Sequence, residues 1–359
     1  MFKSLLPSML FFCGCFITNL SAQTIKTPLG QDIDVQEINT FLEQQMKDTG
    51  TPGISMVVIN NGEVVFEAYK GYSTPNEKVT HSTIFEGASL SKPLFAFFVM
   101  RLSEKGLLNL DKPLYQYLPY EDIAYDERYK KMTARMVLSH QTGFPNWRTD
   151  SPGDKLFLDF EPGTAFQYSG EGYQYLALVL QHLTKTDAIG LQELFHQEIN
   201  KPLGLGATQF IQDTENLKNK ALAFKNGVWL GPRDFGKAQF GAAYGIHSNA
   251  RDYANWVIAL MNYEGLSEAS YKTLFEPQVE MPEDNENRNF GITHMTMGFY
   301  TGVFPFGEIY GHGGNNDKKF TSLFFYAPST KWGMVLFTNA GFGEQMGINF
   351  LQFMVTPKQ

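Results

Sequence analysis

Cysteine is nearly absent from this chain. Its 359 residues contain two, Cys13 and Cys15, and both fall in an apolar N-terminal stretch that reads as removed on maturation. The mature chain then has no thiol, which excludes disulfides, a cysteine nucleophile and thiolate metal ligands. Positive charge is also scarce: 29 Lys and Arg stand against 37 Asp and Glu, for a formal charge of −8. That balance argues against nucleic acid or an anionic membrane surface as partner. Past the N-terminus no apolar run is long enough to span a bilayer, so no stable membrane span is expected. The seven histidines show neither H-E-x-x-H nor any other ligand spacing, so no metal is expected. Gly341-Phe342-Gly343 lacks the third glycine of a dinucleotide fingerprint and opens no βαβ unit, so no cofactor is expected. Repeats, low-complexity tracts and Pro/Ser linkers are missing too, which favours one continuous unit over two independent domains.

What is present begins with a secretory pattern. Lys3 precedes the mainly apolar Leu5 to Ile17, and Leu20-Ser21-Ala22 offers a small-residue cleavage site. The spacing predicts a signal peptide over 1–22, a mature part over 23–359, and export to a periplasmic or secreted location. A short buried N-terminal helix is the structural alternative. A lipid anchor at Cys15 is a further one, against which Phe12-Cys13-Gly14-Cys15 is a poor lipidation site.

In the mature part, Val35 to Lys47 places Val35, Ile38, Phe41, Leu42 and Met46 at helical spacing. Ile54 to Ile59 and Val64 to Tyr69 flank Asn60-Asn61-Gly62 and read as a hairpin. From about Asn109 to Asp213 the pattern is helical, as in Ala134 to His140 and Tyr173 to Thr184. Strand signals return at Phe299 to Phe304, Phe320 to Tyr326 and Met334 to Thr338, with a closing helix over Gly347 to Met354. The fold class expected is α/β (α+β), an antiparallel sheet flanked by helices and formed by both chain ends. A mostly α-helical subdomain is inserted at about 109–213.

Three segments carry chemistry. In Ser89-Leu90-Ser91-Lys92, a helix starting near Ser89 puts Ser89 and Lys92 on one face. A serine hydroxyl needs a base, and a lysine serves only when burial or nearby positive charge lowers its pKa. Pro93 suits a first helical turn. Short Ser/Lys patterns also arise by chance. The second segment, Pro162-Gly163-Thr164 to Tyr173, presents Tyr168 at a loop tip ahead of a helix. There it is either a proton relay or a packed tyrosine with its hydroxyl satisfied. In the third, Gly311-His312-Gly313-Gly314-Asn315, glycine-rich backbone beside a strand admits a substrate carbonyl, or else makes a positive-φ turn. His140 invites a Ser/His/Asp reading, which the nearby Lys92 makes unnecessary.

Further segments line up with these three. They are Thr51 to Val58 with Gly62 and Gly71-Tyr72, Leu102 to Pro113 with Tyr117-Leu118-Pro119, Met136 to Gly143, Ala242 to Asp252, and Val335 to Gly341. In this order the chain resembles the serine β-lactamase-related family of penicillin-binding-protein-like hydrolases. That family includes class C β-lactamases, D,D-peptidases, D-aminopeptidases and certain esterases. The resemblance runs from about Val35 to the C-terminus and implies a β-lactamase/transpeptidase-like fold with no cofactor. It implies Ser89 as acylated nucleophile, with Lys92 and Tyr168 sharing its proton. It further implies an oxyanion hole of the Ser89 and Asn315 backbone N–H groups, and His312-Gly313-Gly314 in place of the family's Lys-Thr-Gly strand.

Two departures bear on substrate. The family's Tyr-x-Asn reads Tyr168-Ser169-Gly170, and glycine cannot hold a substrate amide as asparagine does. The lysine of Lys-Thr-Gly is His312, a weaker and pH-dependent partner for a substrate carboxylate. The expected activity is therefore an exported serine hydrolase acting on a small ester, amide or D-amino-acid peptide. The rivals are a β-lactamase or D,D-carboxypeptidase proper, and a non-catalytic penicillin-binding-like module.

Overall fold

The computed structural model describes residues 23–231 and 238–357. The expected signal peptide, with Cys13 and Cys15, lies outside the described residues. The strands in chain order are β1 (Thr24–Lys26), β2 (Asp32–Asp34), β3 (Gly53–Asn60), β4 (Glu63–Gly71), β5 (Phe85–Ala88), β6 (Ala223–Lys225), β7 (Val228–Leu230), β8 (Ile246–Ser248), β9 (Val279–Glu280), β10 (His294–Met295), β11 (Tyr300–Phe304), β12 (Gly307–Asn316), β13 (Phe320–Ala327) and β14 (Trp332–Thr338). The helices that matter here are α1 (Val35–Thr49), α2 (Ser91–Glu104), α3 (Ala134–Leu138) and α4 (Gly170–Thr184), with two later ones, Ala250–Met261 and Gly343–Val355.

Eight strands form one antiparallel sheet in the order β4-β3-β14-β13-β12-β11-β10-β9. The two ends of the chain meet one strand in from the β4 edge, where Val57 of β3 faces Val335 of β14. The β3–β4 hairpin turns at Asn61 and Gly62, with φ of 53° and 76°, the double left-handed turn that suits the strands' twist. β3 is buried along nearly its whole length, as a strand covered on both faces must be. On one face Ile38, Leu42, Phe350 and Met354 pack on Met56, Val58, Met334 and Leu336. On the other, Val57, Val335 and Phe337 pack with Tyr253 and Trp256.

Helix α2 is buried from Ser91 to Met100. It is apolar all round because the sheet side and the helical region both close on it: Phe95 approaches Tyr173 of α4 at 5.9 Å and Phe97 meets Trp256 at 6.1 Å. Among the described residues no strand lies between Ala88 and Ala223. Among the described residues no helix is long and apolar enough to cross a membrane, and no cluster of His, Cys, Asp and Glu is placed to hold a metal ion.

Helix α2 starts at Ser91, two residues past Ser89, which lies in the turn that feeds it. The segment at 311–314 lies in a strand, β12, where the resemblance put His312-Gly313-Gly314; the turn alternative falls, since Gly311, Gly313 and Gly314 all have ordinary φ. The last helix begins at Gly343, ahead of the expected Gly347.

Candidate active site

Ser89 is half-buried, at the end of β5 and one residue after Ala88, whose φ is 47°. A left-handed alanine is strained, and the surroundings hold it there. Ser91 Oγ donates to the Ala88 carbonyl at 2.6 Å and accepts from Ile246 N–H at 2.9 Å. Tyr253 donates to the Leu90 carbonyl at 2.9 Å, and Ser322 donates to the Gly87 carbonyl at 2.9 Å. Among the described residues the Ser89 N–H has no backbone acceptor.

Lys92 lies one turn on, in the first turn of α2, and is 1 % exposed. Its Nζ donates to Ser89 Oγ at 3.1 Å and to the Ala243 carbonyl at 2.9 Å. Among the described residues no acidic group offsets its burial, and desolvation brings the amine down to about 7. It sits 4.5 Å from the centre of the Tyr168 ring and 5.6 Å from that of Tyr173.

Tyr168 immediately precedes Ser169, which caps α4 by accepting from Gly172 N–H. Burial pushes the Tyr168 hydroxyl well above its ordinary value, and a polar contact with Ser89 only partly opposes this. The phenol therefore keeps its proton at neutral pH. His140 packs on the Tyr168 ring at 4.4 Å and accepts from Ser169 N–H through Nδ1 at 3.0 Å. It is wholly buried, and desolvation holds its pKa well below the usual histidine range. His140 thus braces the Tyr168 loop and takes no bond from Ser89.

Strand β12 forms the opposite wall. A β-carbon on Gly314 would overlap the Gly87 carbonyl oxygen and Ser322 Oγ, so glycine there lets β12 close on β5. The next residue, Asn315, is exposed, and Asn316 Nδ2 donates to Glu86 of β5.

His312 is 3 % exposed, and burial lowers it to about 3, helped by the Lys92 charge. Its Nδ1 meets the Gly313 carbonyl at 2.5 Å. A carbonyl only accepts, so Nδ1 carries the proton and the buried Nε2 is bare, with no partner among the described residues. The expectation of a pH-dependent cation for a substrate carboxylate is therefore corrected: His312 is neutral through the physiological range.

Gly170 is corrected as well. Its N–H is bonded to Asn146, and a β-carbon would fall 2.5 Å from Trp147 Cη2. Gly170 is buried beneath that ring and does not line the cleft. Trp147 also meets Tyr244 edge to face at 5.6 Å. Trp147 carries no sequence signal, and Ala243, although in the segment Ala242 to Asp252, has no role assigned by the resemblance; each reaches the site only through the fold.

The sequence profile of the family described as Beta-lactamase matches residues 38–349. Among similar proteins, Protein flp of Staphylococcus aureus (strain MRSA252) is 24% identical over 330 residues. That match covers 85% of this chain and 62% of the relative, so the chain spans less than two thirds of that relative's length. The putative penicillin-binding protein PbpX of Bacillus subtilis (strain 168) is 25% identical over 332 residues, covering 88% of this chain and 78% of PbpX. Two solved structures share the fold. One is the octameric penicillin-binding protein homologue from Pyrococcus abyssi, with TM-score 0.75, 21% identity, and 90% of this chain and 78% of that one covered. The other is a β-lactamase/D-alanine carboxypeptidase from Yersinia pestis complexed with citrate, with TM-score 0.72, 17% identity, and 89% and 98% covered.

Proposed function

The chain belongs to the Beta-lactamase family, and on that premise we propose that it is an exported serine hydrolase that forms an acyl-enzyme on Ser89. The observation that carries the chemistry is the 3.1 Å bond between Lys92 Nζ and Ser89 Oγ. A buried amine brought down to about 7 is substantially neutral at neutral pH and free to accept a proton. In the forward step Lys92 takes the Ser89 proton while Oγ attacks the substrate carbonyl. The oxyanion points at the Ser89 N–H and, across the cleft, at the Asn315 N–H. The proton then passes to the leaving group, with the protonated Tyr168 hydroxyl as relay, and the carbonyl–leaving group bond breaks. Water activated by the same amine cleaves the acyl-enzyme and restores Ser89.

A small ester, amide or D-amino-acid peptide fits this site better than a β-lactam. The position of the family's amide-holding asparagine is Gly170 under Trp147, and the position of its anion-binding lysine is a neutral histidine. Export rests on Lys3, the apolar run Leu5 to Ile17 and the small residues before Gln23.

The test is Ser89→Ala against wild type on p-nitrophenyl esters, D-alanyl peptides and nitrocefin, with a fluorophosphonate probe. Ester or peptide turnover and probe labelling are both expected to vanish in the variant. Full ester hydrolysis by Ser89→Ala, with no labelling of wild type, would overturn the mechanism.

A further inference from the structure

Resting on the acyl-transfer reading of Ser89, we propose that Glu344 makes the cleft select substrates carrying an ammonium group near the scissile carbonyl and reject those carrying a carboxylate there. Glu344 stands in the first turn of the helix Gly343–Val355. Its side chain crosses to β12, where a β-carbon on Gly313 would overlap Glu344 Oε1. Glycine at 313 is therefore what leaves room for the carboxylate against the strand, two residues before Asn315. From there the Glu344 charge reaches the hydroxyls of Tyr168 and Tyr300, so it acts on the space in which Ser89 works.

Among the described residues no lysine, arginine or hydrogen-bond donor pairs with the Glu344 carboxylate. The influences on it are burial and the charge of Glu286, from the short helix Glu286–Phe290, and both push its carboxyl up to about 7, so near neutral pH it is partly ionised and a bound cation draws it to the charged form. A first-turn carboxylate gains from the helix dipole, but that does not require it to lie on β12.

The other face of β12 has the same polarity. His312 is neutral there, with a bare Nε2. The nearby amine, Lys92, is substantially uncharged near neutral pH and is committed to Ser89 and the Ala243 carbonyl. A ligand on the Glu344 side of β12 thus meets an ionisable carboxylate, and His312 on the opposite face adds no positive charge. An ammonium group brings three donors and the opposite charge. A carboxylate brings two further acceptors and a like charge, without the cation that would offset its desolvation.

The experiment separates binding from turnover by using the Ser89→Ala chain. Isothermal titration near neutral pH compares D-alaninamide, a cation, with N-acetyl-D-alaninamide, which lacks the charge, in Ser89→Ala and in Ser89→Ala/Glu344→Gln. The cation is expected to bind about tenfold more tightly, as charge-assisted bonds allow, and Glu344→Gln is expected to erase that preference. Equal affinities in the parent, or a preference that survives Glu344→Gln, would overturn the proposal. Glutamine is isosteric and removes an unpaired charge, so thermal unfolding of the variant should match or exceed the parent's. Hydrolysis of p-nitrophenyl acetate by the wild type reports separately on the acyl-transfer reading.

Discussion

The Trp147 indole lies over Gly170, with Cη2 2.5 Å from where a β-carbon would stand. The missing asparagine and the inserted ring are therefore one change: the site has exchanged an amide donor and acceptor for an aromatic wall shared with Tyr244. Gly170→Asn alone should not restore the family motif. It forces Trp147 out and costs about 1–3 kcal/mol through overpacking. In Trp147→Ala/Gly170→Asn the clash is gone, so the two stability changes should be strongly non-additive. Urea unfolding of the two single variants and the double decides this; additive changes would show that the ring does not occupy the asparagine's place.

How much of this was legible in the sequence depended on how local each signal is. The β3–β4 hairpin was readable because Asn61-Gly62 encodes its own turn. The Ser89/Lys92 pair was readable because three residues, closed by the Lys92 N–H to Ser89 carbonyl bond at 3.1 Å, join them. The strand character of Gly307–Asn316 was weak, since glycines at 311, 313 and 314 carry little strand preference. They are required by neighbours distant in sequence: Phe324 at Gly311, Glu344 at Gly313, and Gly87 with Ser322 at Gly314. The neutrality of His312 was hidden for the same reason, because it follows from burial and from Lys92 rather than from any motif.

Lys92 sets a pH dependence with a definite sign. The amine titrates near 7 and acts as base only when neutral. The groups facing it are the Tyr168 and Tyr173 rings and the charge-coupled, neutral His140 and His312. Ester kcat/KM should therefore rise with pH through about 7 and level off above it. Stability should also rise with pH, but over the window from about 7 up to the ordinary lysine value, where the unfolded chain binds the extra proton. A flat kcat/KM between mildly acidic and mildly alkaline pH would exclude Lys92 as the titrating base.

Gly314→Ala tests the closure of β12 on β5. The added methyl meets the Gly87 carbonyl and Ser322 Oγ, so β12 must move and carry the Asn315 N–H away from Ser89. The expected result is a roughly hundredfold loss of kcat on activated esters, the scale for losing one oxyanion donor, in a protein that still folds. Unchanged kcat would separate Asn315 from the reaction.

Behind that closure lies a buried charge pair. Glu86 of β5 meets Lys220 at 2.7 Å, with side-chain exposures of 18% and 9%, and also accepts from Asn316. Burial works to raise the Glu86 carboxyl, but Lys220, His247 and Asn316 outweigh it and hold the group below the usual carboxylate range. Removing one partner leaves the other charged and desolvated. Lys220→Met should therefore cost about 3–5 kcal/mol, while Lys220→Met/Glu86→Gln should recover much of the loss. The double variant keeps an acceptor for Asn316, so its ester kcat should stay closer to wild type than that of Lys220→Met/Glu86→Leu, which frees the end of β12. If the two double variants turn over esters equally, Glu86 serves stability alone and does not position the strand that carries Asn315.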